Sequence, residues 1–384
     1  MKIKLVTTMR KKIFIACPWT PLGGGMFKVA DYLIQSQTPE KENSIHYAQL
    51  VPLDTRGGKH PIFSIFYLIA ALATLLFYRI LGQAAGIHVN MAERLSFFRK
   101  SIVILFSRLI GLPVILHLHA AQLHHFYASL PSFLRAYIRW TFSKASKVIV
   151  LGETAKKFVI ADLKIAPDKV EIVLNGVPEP TFPRAPYSAT HNKTRVMFLG
   201  NLSERKGVSD LLNAIAKSQA FQNSKAEAIF VGAEGIEFYQ NKAEHLGISN
   251  MIQFTGWADQ KQAAQWMATA DILALPSYDE GLPLVILEAL SNQVAVLCTP
   301  VGEISNNLKS DENSLFVSPG NIEEITQALD KLILDKAYRE HIAAKGRELY
   351  EKGFSLDCFS DRISEVHQRV FGVSARPNVT KKGN

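Results

Sequence analysis

Residues 271–290 read "DILALPSYDEGLPLVILEAL". The run 271–275 is apolar after its aspartate and stops at Pro276, so it reads as a short buried strand. The turn "SYDEGLP" follows, and then a second apolar run, assigned as a helix over 283–292. Pro283 suits the first turn of a helix, where a missing N–H costs nothing. A strand, a tight turn and a helix in this order are half of a βαβ unit, and ligands of such sheets bind beyond the carboxyl ends of the strands. Two carboxylates stand there: Glu280 in the turn, and Glu288 among Leu284, Val285, Ile286, Leu287, Ala289 and Leu290.

The same alternation runs along the whole chain. Strands are expected at 12–16, 45–50, 86–90, 113–118, 147–151 and 170–174, and again at 195–199, 227–231, 251–254, 271–275, 294–298 and 314–317. Helical patterns lie between most of them, including 26–36, 207–219 and 259–269. Strand–helix alternation predicts parallel sheets covered by helices. It runs twice, interrupted by the proline-rich "NGVPEPTFPRAPYSATHNK". The fold class is therefore α/β, with two Rossmann-like doubly wound domains facing across a cleft. They are expected at 1–184 and 185–356, followed by a helix at about 357–371; residues 372–384 form a tail that includes the disordered "PNVTKKGN".

Composition narrows the classes. Hydrophobic residues are 48% and charged residues 20% of 384, which is globular. Cys17, Cys298 and Cys358 are too far apart for a disulfide framework or a zinc pattern, and they point to a reducing compartment. The first nineteen residues lack the pattern of a signal peptide. Charge is uneven: 55–152 holds eleven Lys or Arg against one acid, Glu93. Aromatic and aliphatic residues are interleaved there, as in "FSIFYLIAALATLLFY" and "LSFFRKSIVILFSRLIG". That mixture points to an anionic membrane surface and away from nucleic acid. Residues 61–78 carry no charge and just reach spanning length. A span would put the strand ends on either side of it across a bilayer, so a buried or interfacial helix is the favoured reading.

Three further strand ends carry candidate chemistry. Gly23, Gly24 and Gly25 precede a helix starting near Met26, where backbone can approach an anion. His117 and His119 of "HLHAAQL" share one side of their strand, with His119 at its end. Acids are too distant from them for a metal site. Arg205 and Lys206 stand beside Gly207 at a helix entrance, which suits a diphosphate. If Gly281 and its neighbouring amides face that diphosphate, Glu288, five residues beyond Pro283, lies about 7 Å further along the helix at about 1.5 Å per residue. That is the distance to a nucleotide's ribose, whose two hydroxyls a carboxylate can accept. Glu280 would face the sugar beyond the diphosphate. The structural alternative makes Glu280 a solvated loop residue and Glu288 half of an ion pair.

These residues resemble the family 4 retaining glycosyltransferases of GT-B fold. "FLGNLSERKGVSDLLNAI", "IQFTGW", "ADILALPSYDEGLPLVILEAL" and "VSPGNIEEITQAL" are similar to that family in order and spacing, and the E-x7-E element, Glu280 to Glu288, is the most specific part. "NGV" at 175–177 resembles the end of the family's first domain. Asn201 stands where the family often has arginine, and Ser305-Asn306 where it has Pro-Glu. The resemblance implies a nucleotide-diphosphate sugar held mainly by the second domain and an acceptor, such as a lipid-linked saccharide of surface-polysaccharide or lipopolysaccharide assembly, held by the first. It implies a final helix that crosses back to the first domain. Donor contacts would come from Gly23, Gly24, Gly25, Asn201, Arg205, Lys206, Trp257, Glu280, Gly281, Leu282, Pro283 and Glu288. Glu280, His119, Lys206 and Arg205 would take part in catalysis, with His119 on the donor sugar and no obligatory metal or cofactor.

A hydrolase is disfavoured, because a retaining one needs its carboxylates about 5 Å apart across the scissile bond. Other readings are a GT-B epimerase or phosphorylase, or a non-catalytic nucleotide-sugar-binding membrane subunit. A nicotinamide dehydrogenase would need a glycine fingerprint and a following acid, neither of which is present.

Overall fold

The computed structural model describes residues 10–20, 24–37, 47–58, 63–120 and 123–376. The chain divides into two compact units, one built from residues up to Asn175 together with those from Leu356 onward, the other from Gly176–Ser355.

The first unit is a six-stranded parallel sheet in the order β2-β1-β3-β4-β5-β6. The strands are β1 (Lys12–Cys17), β2 (Gln49–Asp54), β3 (Ala84–Met91), β4 (Val114–Leu118), β5 (Lys147–Val150) and β6 (Val170–Ile172). The central strands are apolar on both faces because helices cover both; Ile13, Phe14, Ile15, Val89, Ile115 and Leu116 are wholly buried. The second strand was expected over 45–50 but runs Gln49–Asp54 through the exposed Pro52. An edge strand tolerates proline, since the missing N–H has no ladder partner to lose. Residues 45–46 lie outside the described residues.

The uncharged segment 61–78 supplies the helix Ser64–Ile80, which buries Leu68, Ala71 and Leu75 against the sheet. Among the described residues no helix is long and apolar enough to cross a membrane.

The second unit repeats the design in the order β12-β11-β10-β7-β8-β9. Its strands are β7 (Thr194–Leu199), β8 (Ala226–Val231), β9 (Ile252–Gly256), β10 (Ile272–Leu275), β11 (Ala295–Cys298) and β12 (Leu315–Phe316). Each sheet reverses direction once, between β1 and β3 in the first and between β7 and β10 in the second. These reversals leave a crevice at the strands' carboxyl ends.

The proline-rich segment, read from composition as a linker with the boundary near 184, packs on the second unit. The Val177 amide donates to Phe354 O at 3.0 Å and the Tyr350 hydroxyl to Val177 O at 3.0 Å. Arg184 donates to the carbonyls of Ala270 and Asn292 at 3.3 and 3.0 Å. The division thus falls at 175/176: composition reports local chain preference, while these bonds reach partners 86 to 177 residues away. The final helix, Leu356–Phe371, belongs to the first unit. Its Phe371 ring lies over Gly86, where an added Cβ would come within 2.3 Å, and Arg369 pairs with Glu171 at 2.5 Å.

Candidate functional site

The reversal between β7 and β10 gathers two loops. The loop after β7 contains one 3-10 turn, Glu204–Lys206, and ends at Gly207. Gly207 has φ +69°, and a Cβ there would meet the Pro276 carbonyl at 2.1 Å, so only glycine lets this loop touch the one after β10. The Tyr278 amide then donates to Arg205 O at 2.8 Å, and the Arg205 guanidinium donates to Asp279 O.

This stitching brings three predicted side chains together. Glu280 Oε1 lies 3.4 Å from Lys206 Nζ and 3.6 Å from Arg205 Nη1. The Ser277 hydroxyl donates to the same oxygen at 3.4 Å. The Lys206 and Glu280 side chains are only 15% and 12% exposed, against 43% for Arg205. The pairing is long for charged groups, which prefer about 2.7–2.9 Å. It is a loose arrangement that an incoming anion can displace.

The other side of the turn is held by residues that the sequence reading passed over. Gly302 has φ +58°, and a Cβ would stand 1.8 Å from Glu280 O. The Glu303 amide donates to Gly281 O at 3.0 Å and the Thr299 hydroxyl to Ser277 O at 2.5 Å. All three follow the carboxyl end of β11, so the strand-end rule applied there would have found them.

Leu282 is buried, and Gly281 and Pro283 are half-buried. Pro283 caps the helix Leu284–Ser291 in extended conformation, with φ −64° and ψ 128°, instead of occupying its first turn as expected. Proline fits either place, since the φ and the absent donor are equally acceptable. Glu288 is half-buried between the wholly buried Leu287 and Ala289. Asn201 is exposed. Trp257, 57% exposed, follows β9, the edge strand separated from β7 by β8.

The remaining predicted residues belong to the first unit. Gly23 lies outside the described residues. Gly24 and Gly25 form the first turn of the helix Gly24–Gln35 and do not precede it as expected. Glycine's helix penalty matters least where the backbone has just entered the helix and φ is still +63°, as at Gly24. His117 and His119 do share a side, with ring centroids 4.0 Å apart. Behind them runs a buried imidazole chain. His117 Nδ1 lies 3.1 Å from His88 Nε2, and His88 Nδ1 lies 2.9 Å from His367 Nε2 on the final helix. Burial first, then electrostatic interaction with His88 and Lys100, pushes His119 down to about 3. Burial alone puts His88 near the same value. Lys100, wholly buried with Met26 Sδ 3.3 Å from its Nζ, is pushed down to about 7, again mainly by burial.

Residues 182–349 match the glycosyl transferases group 1, and residues 35–179 match glycosyltransferase family 4. Among curated relatives, the chain is 26% identical to a putative teichuronic acid biosynthesis glycosyltransferase, TuaC of Bacillus subtilis, over 67% of this chain and 65% of that one. It is 27% identical to the lipopolysaccharide core biosynthesis glycosyltransferase LpsE of Rhizobium meliloti, over 44% of this chain and 48% of that one. The chain thus spans less than two thirds of the length of these relatives. Among solved structures, HepE of Anabaena in complex with UDP and glucose superposes with a TM-score of 0.72 at 19% identity, covering 93% of this chain and 99% of that one.

The paired Rossmann-like units have the GT-B fold, and the two segments each match a glycosyltransferase family. The chain is related to the group 1 and family 4 glycosyltransferases.

Proposed function

We propose that the chain transfers a sugar from a nucleoside-diphosphate sugar, with retention of anomeric configuration, to a lipid-linked saccharide at the cytoplasmic membrane face during surface-polysaccharide or lipopolysaccharide assembly. The observation that carries this reading is the Arg205–Lys206–Glu280 cluster at the β7/β10 reversal. A diphosphate arriving there exchanges one loosely held carboxylate for its own charge. Glu280 is thereby freed toward the donor sugar, and Glu288 accepts the ribose hydroxyls. The names of TuaC and LpsE and the UDP and glucose of the HepE complex support the same direction.

In this reaction the bond from the anomeric carbon to the leaving phosphate oxygen breaks, and that carbon bonds to the acceptor oxygen on the same face. A donor phosphate oxygen takes the acceptor's proton, and the nucleoside diphosphate leaves. Lys206, Arg205 and the backbone amides offset the charge growing on the leaving group. His119 contacts the sugar. This scheme draws its positive charge from the protein, so it requires no metal, and added chelator leaves turnover unchanged.

The membrane assignment is supported by three neighbouring helices of the first unit. Ser64–Ile80 turns Phe66, Ile69, Phe77 and Ile80 outward, at 65%, 57%, 57% and 75% exposure. Leu95–Leu109 adds Leu95 and Leu109 beside the exposed Arg94 and Arg108, and Ser132–Ser143 adds Phe133 and Trp140, with Lys144 over the Trp140 ring. Apolar insertion and basic attraction together are what stable peripheral anchoring needs.

The test is incubation of the purified chain with a panel of UDP-, GDP- and ADP-sugars and a bacterial lipid extract. Sugar transferred to lipid with its anomeric configuration kept is the expected product. An epimerised nucleotide sugar, or consumption only with phosphate as co-substrate, overturns the reading.

A further inference from the structure

His119 is attached to its surroundings through one neighbour in particular. Its Nε2 lies 2.8 Å from Asn90 Oδ1, and its backbone amide donates to Met91 O at 2.9 Å. Asn90 is 2% exposed and sits on β3, the strand across the β1/β3 reversal. The Asn90 amide has a definite orientation, because its Nδ2 lies 3.5 Å from the Ala16 carbonyl at the end of β1. Turning it over would set Oδ1 against that carbonyl oxygen, a repulsive contact in a buried place, and leave the N–H group facing the imidazole. Asn90 is therefore an acceptor toward His119, and an acceptor requires a ring N–H.

We propose that Asn90 is a positioning residue that holds His119 in the neutral Nε2–H tautomer, leaving Nδ1 as the acceptor the ring offers to a hydroxyl of the donor sugar. This rests on the assignment of His119 to the sugar. It also accounts for the residue type. A carboxylate at position 90 would favour imidazolium, placing a cation beside a sugar that itself becomes oxocarbenium-like. Asparagine supplies the same acceptor geometry without that charge. The surroundings act in the same sense. The His117 ring, on β4, lies tilted against that of His119 with centroids 4.0 Å apart, His88 on β3 bonds to His117 in turn, and the buried Lys100 of the helix Leu95–Leu109 disfavours a charge on His119.

Two measurements test this on the full chain. Histidine-selective nitrogen NMR, with the His119 signals identified by their loss in His119→Gln, is expected to show a protonated Nε2 and an unprotonated Nδ1 from pH 6 to 8. A protonated Nδ1, or an imidazolium, overturns the proposal without recourse to activity. Second, the nucleotide sugar turned over in the panel is assayed with Asn90→Leu and Asn90→Asp. Asn90→Leu is expected to lower kcat about tenfold or more while donor KM stays within about twofold, as befits a group acting mainly in the transition state. Asn90→Asp is expected to gain a new pH-rate inflection, with kcat rising at alkaline pH as imidazolium loses its proton. A structural role alone would shift neither the pH profile nor the tautomer. If His119→Ala leaves turnover intact, the assignment of His119 has failed. If His119→Ala lowers kcat but Asn90→Leu and Asn90→Asp behave as wild type, only the role of Asn90 has failed.

Discussion

Glu288 is the residue whose role rests most on type and place. Its carboxylate is half-buried on a helix, between Leu287 and Ala289. As the ribose acceptor, it contributes about 1.5–3 kcal/mol to donor binding, the usual worth of hydrogen bonds to a charged group. Glu288→Ala should therefore raise donor Kd roughly tenfold to a hundredfold. Calorimetric titration with UDP, GDP and their sugars checks this, and unaltered affinity in a folded variant would remove Glu288 from the ribose. In the proposed reaction Lys206 faces the leaving group. Charge on the diphosphate grows as the bond breaks, so Lys206→Ala should cut kcat by about a hundredfold while changing donor Kd much less. Steady-state kinetics beside direct binding separates the two. A loss confined to Kd would make Lys206 a binding contact only.

At the scale of elements, the final helix is tied to β3 by His367–His88, by Phe371 over Gly86 and by Arg369–Glu171. His88, His117, His119 and His367 all lie below the ordinary imidazole value, first because burial disfavours the cation. The unfolded chain binds protons at these four positions near pH 6.5, and the folded chain does not until far lower. Below pH 6.5 the unfolded state therefore holds more protons, and stability falls as pH falls, over a window reaching to about 3 for His88 and His119. Each such imidazole removes about 1.4 kcal/mol per pH unit within the window. Urea melts at pH 8, 7, 6 and 5 should show a steep loss of midpoint below pH 6.5. His88→Phe, which removes the central imidazole, should make that loss shallower. A flat profile would mean that these rings take up protons in the folded state.

Across the whole molecule, the excess of positive charge and most of the exposed large apolar side chains of the described residues fall in the first unit. The segment 55–152 has eleven cations to one acid, and the outward Phe66, Ile69, Phe77 and Ile80 lie within it. Each Lys or Arg near an anionic surface contributes about 1 kcal/mol, screened within a Debye length. The full chain should float with phosphatidylglycerol-rich vesicles at low salt and largely detach near 1 M. Phe66→Ser with Phe77→Ser should weaken the residual, salt-resistant part. The contiguous second unit, 176–355, should not bind. The first unit is not contiguous, so expressing 1–175 alone would omit the helix that covers Gly86. Equal flotation of the full chain and of 176–355 would contradict the assignment.

Periodicity alone determined that two parallel α/β units follow each other, because a strand buried on both faces must be apolar throughout and its covering helix must repeat at 3.6 residues. It also singled out the turns at strand ends, where sheets of this kind place ligands, and Arg205, Lys206 and Glu280, which the fold brings together, were legible there. Tertiary structure decided what local preference cannot encode. Arg184, within the proline-rich segment, binds the second unit through carbonyl partners distant in sequence, and Pro52 sits in a strand because that strand is an edge. Gly302 and Glu303 clamp the Glu280 turn from a neighbouring strand. The histidines at 88, 117 and 367 form one chain only because β3, β4 and the last helix pack together. Hydrogen bonds and steric fit act over about 3 Å, so partners separated by tens or hundreds of residues are set by packing rather than by the pattern along the chain.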